Sequence, residues 1–341
     1  MVFGMLSKTI IYLPLFMVNI KSNIGKNHEP ILQKTHFLTI TIKDLVIRRI
    51  VMFKLAVISD EISQDFQTVV NVASEYKLNG IEIRSVWDKP PQALTNDDMS
   101  RMKDILDKAG IVIAGIASPF FKCDIDNEQE RRDHIEILRK CINLAQFFGT
   151  KIVRGFTFWN TGQTEAVWGK ILEYYREPVK IVESEGIIIG IENEPSTSVS
   201  TAKFLAKFIN DVDSINVRGI WDPANEVHAE GGETPFPDAY NRVKPYMIHC
   251  HAKDAATNAE SKIDSVPVGT GVIDWKGQIK DLLDSNYKGY LSLETHWRIK
   301  KVLSEELLNR PGGSAFSEAG EESSRICLDN IFNILKSLGA K

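Results

Sequence analysis

The segment Gly186-Ile-Ile-Ile-Gly-Ile-Glu192 begins on a glycine, continues through five apolar or small residues and ends on an acid. A glycine after a helical pattern can take the left-handed conformation that ends a helix without a Cβ penalty. The run that follows lacks polar alternation, so it reads as a strand buried on both faces, as in a parallel sheet. The terminal acid stands where such a strand emerges.

The same unit recurs outward in both directions. Eight runs have this character: Lys54–Ile58, Gly80–Arg84, Ile111–Ile116, Lys151–Arg154, Ile187–Glu192, Val217–Asp222, Tyr246–His251 and Gly289–Glu294. Gly80, Gly110, Gly149, Gly186 and Gly289 stand between a helical pattern and the next run. Between the third and fourth runs, Ile135, Leu138, Ile142 and Ala145 share a helix face. Asp126 with Gln129, and Thr95 with Asp98, have capping-box spacing. Pro178 lies inside the fourth helical pattern and should kink or interrupt that helix. Eight strand–helix units without a glycine-rich dinucleotide fingerprint predict an α/β fold of the (β/α)8 TIM-barrel type, a single domain over residues 52–341.

Residues 1–51 do not continue the pattern. Ile10 to Ile20 is an apolar run containing Pro14, too short to span a bilayer and without a small-residue cleavage site. Met52 directly precedes the first strand. The expectation is an N-terminal extension, outside the fold, ahead of a natural start at Met52.

With 43% hydrophobic residues the chain can bury a large core, and a net charge of -4 offers no footprint for a phosphate backbone. Nucleic acid and membrane partners are therefore not expected. Four scattered cysteines without CxxC spacing suit a reducing, cytoplasmic setting. Cys250 alternates to the face of its strand opposite His251. A homo-oligomer is compatible with a barrel's exposed helices, but no segment marks an interface.

Barrel chemistry gathers at the C-terminal strand ends. There the last four strands present Glu192, Asp222, His251 and Glu294. One acid at a strand end is ordinarily an ion-pair or cap partner, whereas three acids and an imidazole at adjacent strand ends ask for a cation. His249 shares a strand face with His251 and either could ligate; His251 is preferred because it lies nearer the end. An oxygen-rich set of this kind suits one divalent ion, Mn²⁺, Mg²⁺ or Co²⁺, with Zn²⁺ possible.

The segments Ile191-Glu-Asn-Glu-Pro195, Trp221-Asp-Pro-Ala-Asn225, His249-Cys-His-Ala-Lys-Asp254, Val268-Gly-Thr-Gly-Val-Ile-Asp-Trp275 and Leu293-Glu-Thr-His296, with Ile58-Ser-Asp-Glu-Ile62 and Ile81-Glu-Ile-Arg84, resemble the sugar phosphate isomerase/epimerase family of xylose isomerase-like barrels. The resemblance implies a metal held by Glu192, Asp222, His251 and Glu294, with Glu192 and Glu294 also moving a proton through an enediolate on a small sugar or sugar phosphate. The ketohexose 3-epimerases carry a histidine where this chain has Asn225, and substrate-gripping residues where it has Ser198 and Thr257. Those departures argue against that specificity and leave dehydration of an inosose-type cyclitol as an alternative, beside a non-catalytic sugar-binding barrel.

Arg84, Arg154, Asn225, Lys253 and Trp297 are the candidate substrate contacts. For the two arginines an internal salt bridge, with Glu82 or Asp60, is the plainer alternative. For Lys253 it is a solvated pair with Asp254. Trp159 and Phe120 could stack on a sugar or simply pack. Gly269 and Gly271 are expected to leave room for substrate, and the stretch Arg298–Ala319 to fold over the mouth or come from a partner subunit. An abasic-site endonuclease on the same fold would need more histidines at the strand ends than this chain supplies.

Overall fold

The computed structural model describes residues 53–299 and 301–340, so the expectation for residues 1–51 and Met52 falls outside the described residues. Strands β1 (Lys54–Ile58), β2 (Gly80–Ile83), β3 (Val112–Phe120), β4 (Ile152–Gly155), β5 (Ile188–Glu192), β6 (Val217–Trp221) and β7 (Met247–Ala252) are followed by a hairpin of β8 (Asp254–Thr257) and β9 (Ile263–Val266), then by β10 (Tyr290–Leu293). Leaving the hairpin aside, the strands close a parallel barrel in the order β1-β10-β7-β6-β5-β4-β3-β2. The closing pairs run from Lys54 opposite Tyr290 to Val57 opposite Leu293. This is the expected TIM barrel.

The strand bounds agree with the sequence expectation to within a residue or two, except that β3 runs on to Phe120. The hairpin was not expected. Its strands are short, and apolar alternation is lost in Thr257–Lys262.

Helix ends follow local chemistry. Thr95 and Asp98 form the expected capping box. On the helix Glu128–Phe148 the cap is Asn127, whose side chain accepts the Gln129 and Glu130 amides, so the expected box at Asp126 is displaced by one residue. Gly110, Gly149 and Gly186 end their helices at φ of 68, 74 and 65°. Gly80 and Gly289 do something else. A Cβ on Gly289 would meet the Ile248 carbonyl oxygen at 2.3 Å, while the left-handed residues at those two helix exits are Lys77 and Asn286. The helix Thr164–Glu185 continues through Pro178, correcting the expected interruption.

The layer between strands and helices is apolar, and the mouth of the barrel is ionic. On the strand faces turned to the helices, Ile81, Ile113, Val153, Ile189, Val217 and Leu291 are buried, and on the inward faces toward the mouth so are Glu82, Arg84, Arg154, Glu192, His249, His251 and Glu294. Buried charges survive only when paired, and these are.

The stretch after β10 folds over the mouth from the same chain. Arg298 is buried, donating from Nη1 to Glu61 Oε2 at 3.0 Å and from Nε to the Phe316 carbonyl at 3.0 Å. The short helix Glu305–Asn309 is tied down where Lys122 Nζ donates to the Asn309 carbonyl at 3.0 Å. The Gly313 amide donates to Ser85 Oγ, and the Ser314 amide to Asp88 Oδ1. Among the described residues, no helix is long and apolar enough to cross a membrane.

One contact between helix and strand carries a pH dependence. The Phe121 amide, just past β3, donates to His134 Nδ1 at 2.8 Å. Burial pushes the His134 pKa down to about 4, against the pull of Glu130 and Asp133. An unfolded histidine takes up its proton near 6.5 and the folded one only near 4, so the stability from this site is present above pH 6.5 and is lost as the pH falls through 4. The stability difference between wild type and His134→Gln, whose amide can still accept from Phe121, should shrink progressively across that window in chemical denaturation. A difference that stays flat would mean the imidazole is not held neutral.

Candidate metal centre

Each member of the strand-end quartet reaches the mouth by a different device. Glu192 is the last residue of β5, and His251 lies one residue inside the end of β7. Glu294 immediately follows β10. Asp222 follows β6 and caps the helix Pro223–His228, its Oδ1 accepting the amides of Ala224 at 2.8 Å and Asn225 at 3.0 Å. Pro223, at the first helical position, has no amide to satisfy. All four are buried, and their donor atoms lie within 4.8 Å of one another.

His251 is the hinge of the arrangement. Its Nδ1 faces Glu192 Oε1 at 3.2 Å and Glu294 Oε2 at 3.1 Å. Its Nε2 faces Glu82 Oε2 at 3.3 Å. Glu82 also holds His249 Nε2 at 2.9 Å, so the two histidines of β7 converge on one carboxylate deep in the barrel. His249 thus lies one layer below the quartet, and Glu82, His249 and His251 themselves form a second group of ligand type. A carboxylate behind a ligating imidazole fixes ring orientation and tautomer. Glu82 stands behind the His251 ring, and sequence reasoning considered it only as an ion-pair partner for Arg84 or Arg154. Its signal was present, since an acid alternating into a strand buried on both faces requires a nearby positive or hydrogen-bonding group.

The carboxylates already have side-chain cations around them. Arg84 binds Asp60 Oδ1 at 2.9 Å and Glu61 Oε1 at 2.8 Å, and reaches Glu294 Oε1. Arg154 binds Glu192 Oε2 at 3.1 Å. Lys253 lies 2.7 Å from Asp222 Oδ2 and 3.5 Å from Glu294 Oε2. Arg84 and Arg154 therefore stand in internal ion pairs, as the plainer alternative had it: Arg84 with Asp60, Glu61 and Glu294, and Arg154 with Glu192, where Glu82 was also considered. Lys253 does not pair with Asp254. Asp254 instead accepts the amides of Gly269 at 2.8 Å and Gly271 at 3.0 Å. A Cβ on Gly271 would sit 2.2 Å from Asp254 Oδ1, so the missing side chain there makes room for that carboxylate, while Gly269 has a φ of 83°.

The charges at the mouth do not cancel. Within this network, six buried carboxylates (Asp60, Glu61, Glu82, Glu192, Asp222, Glu294) face four buried cations (Arg84, Arg154, Lys253, Arg298). With neutral imidazoles two negative charges are left over, the charge of one divalent ion. Protons are the other way to meet that excess. Burial opposes the charged imidazole of His251, but Glu294, Glu192 and Glu82 outweigh it and hold its pKa well above the ordinary value. Burial, with Glu294 and Glu192 adding to it against Lys253, pushes Asp222 up to about 7. Glu294 goes the other way: burial is overcome by Lys253, His251 and His296, which hold it well below the usual carboxylate range.

The donor set fits a divalent ion. Bonds near 2.1 Å place adjacent donors roughly 3 Å apart, which is the spacing of His251 Nδ1 from its two carboxylate oxygens. Asp222 Oδ2, left over from the helix cap, is buried with no hydrogen-bond partner. A third cluster of ligand type, Glu61 with Glu294 and His296, is occupied by Arg84 and Arg298.

A cavity of about 590 Å³ opens beside the quartet, with Glu194, Asn225, His228, Lys253, His296 and Trp297 on its wall. Asn225 also donates to Glu192 Oε1 at 3.2 Å and to the Asn193 carbonyl at 2.8 Å. Trp297 is half-buried on this wall, whereas Phe120 is fully buried against Phe121 and Tyr175. A second cavity of about 440 Å³ touches Arg84, Lys122, Arg154 and Asn309. His228 and Lys122 were not singled out from sequence, where an isolated histidine or lysine gives no periodic signal.

Comparison with known proteins agrees with this architecture. An inosose dehydratase of Klebsiella pneumoniae subsp. pneumoniae is 24% identical over 257 residues, covering 67% of this chain and 82% of that protein. A xylose isomerase domain protein from Planctomyces limnophilus superposes with a TM-score of 0.64 at 16% identity, covering 85% of this chain and 99% of that one. A D-tagatose 3-epimerase-like protein gives a TM-score of 0.63 at 19% identity, over 84% of this chain and 100% of its own. Residues 70–318 match the family model of the xylose isomerase-like TIM barrel, and the chain belongs to that family.

Proposed function

We propose that this chain is a divalent-metal-dependent enzyme that moves a proton at the carbon beside the carbonyl of a small sugar, as an isomerase or epimerase. The observation that carries the reading is the convergence of Glu192, Asp222, His251 and Glu294 at one barrel mouth, beside a cavity of about 590 Å³. Mn²⁺, Mg²⁺ or Co²⁺ suits this set, with Zn²⁺ possible. When bound, the ion polarises the carbonyl and acidifies the neighbouring C–H.

The protein's own residues supply the rest. Glu294 is held ionised, as a proton acceptor must be. Arg84 and Arg154 hold Glu294 and Glu192 from behind, fixing the direction of their oxygens. Asn225 and Lys253 reach the cavity wall, where an amide and an ammonium can bind hydroxyl or carbonyl oxygens. Trp297 offers an apolar surface for the C–H face of a sugar ring. The stretch after β10 covers the mouth and limits water at the reacting carbon.

The inosose dehydratase relative favours a second reading, in which the same proton removal is followed by loss of the hydroxyl on the next carbon. One experiment separates the readings. Metal-loaded protein is offered ketoses, aldoses, sugar phosphates and inososes in deuterium oxide, with NMR following exchange and ultraviolet absorbance following a conjugated product. Exchange beside the carbonyl without new absorbance supports isomerisation or epimerisation. Exchange with loss of water supports the dehydratase. No exchange across the panel would leave a sugar-binding barrel and sink both.

A further inference from the structure

Resting on the reading of the quartet as a metal centre, we propose that Lys253 is a positioning residue that sets how tightly the centre holds its ion: a resident cation that braces the metal-free site and opposes the metal. Its ammonium lies 2.7 Å from Asp222 Oδ2 and 3.5 Å from Glu294 Oε2. The oxygen it faces on Asp222 is the one left over from the helix cap, and the contact lacks hydrogen-bond alignment. The attraction there is one of charge, at the atom a metal would use.

The other buried cations of the network divide their charge. Arg84 is shared among Asp60, Glu61 and Glu294, and Arg298 between Glu61 and the Phe316 carbonyl. Arg154 is shared between Glu192, Glu294 at 3.7 Å and the carbonyls of Ala117 and Ser118. Lys253, among the described residues, pairs only with quartet members. Its charge therefore acts chiefly on Asp222, Glu294 and Glu192, ahead of Glu194.

Two opposite consequences follow. Without an ion, the ammonium offsets the repulsion between Asp222 and Glu294, so its removal loosens the apo fold. With an ion bound a few ångströms away, like charges repel in a buried site where water screens little, so the same removal tightens metal binding. A lysine that merely supported the fold would lose stability and affinity together.

The test uses the full chain stripped by chelator, its thermal midpoint recorded, then titrated calorimetrically with manganese chloride. Lys253→Met is expected to lower the apo midpoint and to bind Mn²⁺ about tenfold more tightly than wild type, or better. Lys253→Arg, which keeps the charge, should stay close to wild type. If Lys253→Met does not fold, Lys253→Gln, neutral but still able to donate to Asp222, decides the question by the same measurement. Wild type that binds Mn²⁺ while the neutral variant binds it equally or more weakly overturns the inference and leaves the metal centre standing. Wild type that binds no Mn²⁺ overturns the metal reading itself, and this inference with it.

Discussion

Glu294→Gln is expected to leave the barrel folded and to lower turnover by about a thousandfold or more, the usual scale for losing a positioned acid–base group. The residue is the meeting point of the mouth. His251 Nδ1 lies 3.1 Å from Oε2, Lys253 Nζ lies 3.5 Å from it, and Arg84 and His296 hold Oε1. Glutamine has the same shape but no charge, and one of its two positions becomes a donor pointed at donors. The proton acceptor is lost and the excess negative charge that invites a divalent ion is reduced. Stability should fall less than activity, because Arg84 keeps Asp60 and Glu61 and so is not left as an unpaired buried charge. The measurement is the exchange rate on whichever substrate the panel identifies, together with a thermal midpoint and bound-metal content. Activity within tenfold of wild type, with metal retained, would remove Glu294 from the proposed chemistry.

The second large effect is expected at Asp222, where two duties fall on different oxygens. Oδ1 caps the helix Pro223–His228, while Oδ2 is buried without a hydrogen bond. Asp222→Asn can keep the cap, since asparagine serves at that position nearly as well as aspartate. It cannot supply an anionic oxygen to an ion, and its amide nitrogen would repel both the ion and the Lys253 ammonium. Affinity for Mn²⁺ should fall by about a hundredfold or more, the scale associated with disturbing a metal's ligand environment, while the fold survives with a modest drop in midpoint. Calorimetry with Mn²⁺ and thermal unfolding give the two numbers independently. Unchanged affinity would show that Oδ2 is no ligand; collapse of the fold with the affinity would show that the cap, not the ligand, was lost.

Much of this molecule was legible before any tertiary contact was known. The run Gly186–Glu192 and its repeats marked the strands because burial on both faces leaves an apolar signature in consecutive residues. Gly110, Gly149 and Gly186 marked helix ends because a local backbone conformation demanded them. Thr95 and Asp98 marked a helix start for the same reason, as a hydrogen-bonding requirement met three residues away. The quartet was legible too, since each member stands at the end of such a strand. Where local signals competed, as at Asp126 against Asn127, the reading slipped by one residue.

The partners of the charged groups were not legible. Glu82 lies 167 residues from His249, Arg84 lies 210 from Glu294, and Lys253 stands next in sequence to Asp254 while pairing with Asp222. Closing the barrel brings distant strand ends within a few ångströms, and low dielectric then lets charge decide between partners. The hairpin of β8 and β9 and the Asp254 cradle for Gly269 and Gly271 came from the same source. Sequence alone determined the barrel and the four side chains at its mouth, because those depend on strand burial and on alternation along a single strand. Only the tertiary structure decided which acid stands behind which imidazole and which cation faces the free oxygen of Asp222, because those pairings depend on distances across the barrel that no local pattern encodes.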